Sequence, residues 1–246
     1  MFCGVNHYCR DRTMEPVLFY GVPQGCSFGS IVALEWLGQP YRLCRINMPE
    51  DMQGDLYARI NTVRETPALL LEDGTTLSES AAILHYIAAR DLSKGLGFAQ
   101  GTRDHDRLNQ VLAFLNTTYF SAFSPLWRAY EMEENPPVQS VLREVGREDV
   151  RKAHGHLEAM LEGREWLAGS QRTVADAYFI GLSRWATYHR AVALQDYPNI
   201  WRLVRKLEAD PAVAFAHAIE AGRPATSSGG FRGHVTLEEL SPKLAA

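Results

Sequence analysis

The chain has 246 residues, 46% of them hydrophobic and 22% charged, with a formal charge of −4 and a pI near 6.1. This is an ordinary composition with enough length for a real core in one or two domains, and the charge gives no electrostatic reason to expect nucleic acid or an anionic membrane as a partner. Four cysteines, Cys3, Cys9, Cys26 and Cys44, are too few for a disulfide framework over this length, so free thiols in a reducing, cytoplasmic setting are expected.

Residues 1–15 read as a loose leader without the apolar core of a signal peptide, and no later stretch is apolar enough to cross a bilayer. Cys3, His7 and Cys9 lack a fourth neighbour to close a zinc site, so no metal is expected. The first regular element is the β-type run "VLFYG", broken at Pro23 and Gly25. Ser27 to Leu37 follows with Ile31, Leu34 and Leu37 at helical spacing and a stop at Gly38. "PYRLCRIN" alternates as a half-buried strand, and "PALLLEDGTTL" reads as two strands joined by an Asp73-Gly74 turn. Ser78 to Arg90 is helical. The order β-α-β, then β-β-α, predicts a small mixed sheet with one parallel crossover followed by a hairpin, over residues 16–92.

After a glycine-rich linker at 93–101 the strand patterns stop. Four long stretches with apolar stripes at helical spacing, separated by Pro or Gly breaks, predict an all-α helical bundle over 102–224. Residues 225–246, with "TSSGGFRGH", read as a weakly ordered tail.

Three short stretches could carry chemistry. Cys26 and Ser27 stand at a helix start, where unpaired N–H groups and about half a positive charge favour a sulfur anion, its own or a ligand's. A merely buried cysteine is the plainer alternative, since Gly29 occupies the position that would complete a Cys-x-x-Cys. Thr66-Pro67 opens a strand where Pro cannot donate a ladder bond, which points to a turn, an edge or a cis bond. Glu79-Ser80 opens a helix able to hold a carboxylate while the Glu pairs an ammonium, with ordinary capping as the alternative.

In this order and spacing the stretches "YGVPQGCS", "ETPALLLEDGTTLSESAAILHYI" and "TVADAYFIGLSRW" resemble the glutathione transferase superfamily, most closely its bacterial beta class. The resemblance runs from Val17 to about Gly222. It implies an α/β thioredoxin-like N-terminal domain joined to an all-α helical-bundle C-terminal domain, and a homodimer. It also implies that Thr66, before a cis Pro67, pairs its backbone with the cysteinyl unit of glutathione. Glu79 and Ser80 would take the γ-glutamyl ammonium and carboxylate, with Cys26 and Ser27 beside the sulfur. Thr173 and Asp176 match the family's structural capping box.

The implied activity is attack of the glutathione thiolate on an apolar electrophilic small molecule, with glutathione as co-substrate. Cys26 would either support that thiolate or form a mixed disulfide as a thiol-disulfide oxidoreductase. A non-catalytic binding protein resembling the stringent-starvation regulators is the reading from another class. Two features bear on mechanism. Phe120 aligns where beta-class enzymes carry a helix-borne histidine, and Tyr20 ends the first strand as the catalytic tyrosine of some other classes does, although tyrosine there is also ordinary packing. The electrophile is expected against Tyr119, Phe123 and Trp127 of the long helical stretch, a stripe that doubles as core.

Overall fold

A computed structural model describes residues 14–243 except 49 and 228; the metal reading at Cys3, His7 and Cys9 therefore lies outside the described residues. The chain enters β1 (Val17–Tyr20), α1 (Phe28–Leu37), β2 (Tyr41–Arg45), the short helices α2 (Glu50–Gln53) and α3 (Asp55–Ile60), β3 (Ala68–Leu70), β4 (Thr76–Ser78) and α4 (Ser80–Arg90). β1 and β2 are parallel, whereas β3 runs antiparallel to both β1 and β4. Every residue of β1 is buried, because Leu18 and Tyr20 face one apolar cluster while Val17 and Phe19 face another. A strand covered on both faces carries no polar alternation, which is why "VLFY" is uniformly apolar. At the β3–β4 turn Asp73 Oδ1 accepts from the Thr75 N–H at 2.9 Å and the Thr75 hydroxyl at 2.7 Å.

The second half is helical: α5 (Arg103–Phe114), α6 (Ser124–Arg128), α7 (Pro136–Met160), α8 (Val174–Tyr188), α9 (Pro198–Glu208) and α10 (Pro211–Glu220). The two halves share one core, in which α1 packs against α4, α8 and α10. The α1–α8 approach depends on Gly29, where an added Cβ would stand 2.6 Å from the Ala177 carbonyl oxygen. The predicted box at the start of α8 is present, with Asp176 Oδ2 accepting from the Thr173 N–H at 2.8 Å and Oδ1 accepting from the Leu167 N–H at 3.1 Å.

The C-terminal segment differs from the expected loose tail. It returns to the sheet as β5 (Phe231–His234), parallel to β2, and ends in α11 (Leu237–Leu240), giving the strand order β4-β3-β1-β2-β5. The buried carboxylate of Glu35 accepts from the Ser227 hydroxyl, the Gly229 N–H and the Tyr41 hydroxyl. Leu237 and Leu240 then cover the second apolar cluster. A fixed polar anchor and two buried leucines order a segment whose glycines and serines alone suggest coil.

Candidate functional site

Two adjoining cavities meet at Cys26, Glu65, Thr66 and Phe120. The first, about 420 Å³, is lined also by Asn61, Pro67, Glu79, Ser80, Asn116, Ser121 and Tyr178. The second, about 600 Å³, is walled by Pro23, Met48, Trp127 and Trp185, with Arg128 and Glu131 at hand. Cys26, Thr66, Pro67, Glu79 and Ser80 thus come together from three separate pieces of chain.

The local structure explains why each is held there. The Thr66–Pro67 bond is cis, and the Glu65 carbonyl just before it accepts from the Tyr57 hydroxyl at 2.7 Å and Asn61 Nδ2 at 2.8 Å. Thr66 itself is buried, yet among the described residues its backbone N–H and C=O make no hydrogen bond. An unpaired, buried backbone facing a cavity is an open place for another strand. Glu79 enters α4 at φ 71°, a left-handed conformation costly for a residue with a Cβ and characteristic of sites that hold a ligand. Ser80 Oγ stands 3.5 Å from the Cys26 carbonyl, linking the starts of α4 and α1. The loop before α1 is held to α8, with Trp185 Nε1 donating to the Gln24 carbonyl at 3.1 Å and Arg184 Nη2 to that of Gly25 at 3.3 Å.

Electrostatics at the sulfur run against the simple helix-end expectation. Burial, then the Glu65 carboxylate, pushes the Cys26 thiol up to about 12, with Arg184 offsetting only part of the rise. The helix proper starts at Phe28, and loss of hydration outweighs the field of the helix end. Ser27 is fully buried and its hydroxyl is not among the cavity-lining groups.

Other expected site residues separate. Tyr20 is not at either cavity: its hydroxyl lies 3.0 Å from His234 Nε2, in a third cavity bounded by Arg45, Arg223 and the C-terminal segment. The Tyr20 hydroxyl thus stands apart from the two cavities that meet at Cys26. Trp127 lines the second cavity as expected, but Tyr119 and Phe123 are fully buried core. The reason is a π-type turn over Leu115–Tyr119, closed by the Phe120 N–H on the Leu115 carbonyl at 2.8 Å. One extra residue in the turn shifts the facing register, so Tyr119 binds His154 Nε2 at 2.9 Å inside the bundle while Phe120 faces the cavities. Asn116 and Tyr178, joined by a 2.9 Å hydrogen bond, complete the wall.

Comparison with known proteins identifies the two halves of the fold. The model of the glutathione S-transferase N-terminal domain matches residues 26–90, and that of the C-terminal domain matches 120–211. The chain belongs to the glutathione S-transferase family. It is 33% identical over 172 residues to glutathione S-transferase GST-4.5 of Xanthomonas campestris, covering 70% of this chain and 82% of that one. A sphingomonad glutathione S-transferase solved in complex with glutathione is 29% identical, with a TM-score of 0.73 over 83% of this chain and 98% of its own. A beta-class transferase from Sphingomonas chungbukensis is 27% identical, with a TM-score of 0.71 over 82% and 98% of the two chains. The thioredoxin-like sheet and the helical domain are therefore those of a glutathione S-transferase fold. The added β5 and α11 lie beyond the residues matched by the C-terminal-domain model.

Proposed function

We propose that this transferase binds glutathione in the first cavity and directs its thiolate at an apolar electrophile in the second. The observation that carries the reading is the unpaired backbone of buried Thr66, set between the Glu79-Ser80 helix start and Cys26. The cysteinyl unit of glutathione pairs with Thr66 as an added strand. Ser80 and the first N–H groups of α4 take the γ-glutamyl carboxylate, and Glu79 takes the ammonium. The glutathione sulfur then reaches the Cys26 side, where the two cavities join. Phe120, Trp127 and Trp185 give the second cavity an apolar wall, as a site for an apolar electrophile needs.

In the reaction the thiol proton leaves to solvent, the sulfur bonds to the electrophilic carbon, and the leaving group departs with its bonding electrons. The protein contributes proximity and a donor to the thiolate. With its own pKa near 12, Cys26 stays a neutral thiol at physiological pH and serves as an S–H donor to the bound sulfur. That favours a supporting role over the covalent disulfide role. A homodimer is part of the reading, supported by the exposed stripe Val138, Val141 and Val145 on α7.

Calorimetry with glutathione tests the site. Ser80→Ala is expected to weaken binding by about 1–3 kcal/mol, the cost of leaving a charged partner short of a hydrogen bond. Unchanged affinity removes α4 from the site.

A further inference from the structure

Resting on that reading of the cleft, we infer that the preferred thiol is a glutathione derivative whose glycyl carboxylate is converted to an amide, best an amide carrying a cationic amine. The first cavity holds two carboxylates, Glu65 and Glu79, and no Lys, Arg or His among the described residues lining it. Neither carboxylate has an ion-pair or hydrogen-bond partner among the described residues. Free glutathione carries one ammonium and two carboxylates. Glu79 and Ser80 together satisfy its amino-acid end, which leaves Glu65 without a counter-charge and the glycyl carboxylate without a cation.

Strand geometry brings those two groups to the same place. A peptide pairing antiparallel to Thr66 sets its following residue beside the residue that precedes Thr66. For γ-glutamyl-cysteinyl-glycine that puts the glycyl end beside Glu65. The Glu65 carbonyl is already taken by Tyr57 and Asn61, so the backbone there is fixed while the exposed side chain stays free to meet the ligand. The Arg64 guanidinium points elsewhere, donating to the Gln53 carbonyl at 2.5 Å. Arg128 lines only the second cavity, which Glu65 also borders and where Glu131 stands as a further carboxylate. A carboxylate beside Glu65 is a like-charge contact, an amide removes it, and an ammonium replaces it with an attraction.

The test is calorimetry on the full chain with three probes: glutathione, its C-terminal amide, and its amide with 1,4-diaminobutane. Affinity is expected to rise in that order, with about tenfold between the first and last at low salt and a smaller gap at high salt. Glu65→Gln should bring the three within about twofold, mainly by improving glutathione. Equal or tighter binding of glutathione overturns the inference, as does a gap that survives Glu65→Gln. So does a preference for glutathione that Arg128→Gln abolishes, which would put the glycyl carboxylate on Arg128. Binding of glutathione without the predicted order leaves the proposed function standing and this inference refuted. If none of the three probes binds, both fall.

Discussion

The Tyr20 hydroxyl and His234 Nε2 are 3.0 Å apart, so the last residue of the first strand is tied to the last residue of β5. This pair sits in a cavity separate from the one at Cys26. Tyr20→Phe should therefore leave glutathione affinity and conjugating turnover within about twofold while costing about 0.5–1.5 kcal/mol of stability, the net worth of one hydrogen bond. Proteolysis between α10 and β5 should quicken. A tenfold drop in turnover would return Tyr20 to the reaction.

Cys26 should alkylate slowly. With the thiol near 12, about one part in ten thousand is thiolate at pH 8, and the iodoacetamide rate should climb with pH well past 9. A rate plateau near neutral pH would show a depressed pKa and revive the disulfide role. The folded value is raised, so the neutral thiol's contribution to stability is complete below the unfolded value of 9.0 and fades as pH rises towards 12.

His154 and Asp176 should give stability opposite pH trends. Burial lowers the His154 pKa to about 4, so its contribution is full above the unfolded value of about 6.5 and is lost as pH falls through 4. Burial raises Asp176 to about 6, so its contribution is full below the unfolded value and is lost as pH rises through 6. Urea unfolding of wild type against His154→Gln should show the wild type losing on the order of 1–2 kcal/mol more between pH 7 and pH 5. Parallel curves for the two proteins would mean His154 is not buried neutral.

Gly29 cannot be turned into the second cysteine of a redox pair without damage. The added Cβ meets the Ala177 backbone rather than a movable side chain, so Gly29→Cys should destabilise by about 1–3 kcal/mol, as overpacking does. Thermal denaturation checks this, and an unaltered midpoint would show that α1 and α8 can slide apart freely.

What could be read beforehand was whatever chemistry sits within a few consecutive residues. Thr66-Pro67, Glu79-Ser80 and the Thr173–Asp176 box are local patterns, and the hairpin turn at Asp73 is another. Phe120 rather than Tyr119 at the cavity depends on one extra residue in a turn, and the apolar pattern tolerates either register. Asn116 and Tyr178 meet across 62 residues, so no spacing pairs them. The raised pKa of Cys26 is not legible in the sequence, because a helix start is visible there whereas desolvation is not. β5 escaped because "FRGH" is half exposed and includes a glycine at φ 103°, and its anchor, Glu35, lies in another element.

That fifth strand also sets a schedule for folding. β2 emerges from the ribosome about 190 residues before its neighbour β5, at synthesis rates of roughly 5–20 residues per second. For that interval the edge of β2 that β5 will cover has no partner among the described residues and offers its backbone to any extended segment nearby. The N-terminal sheet is thus completed by a strand that follows the helical domain. Cutting the gene after α10 to isolate the two matched domains should yield a protein that associates through the exposed edge of β2.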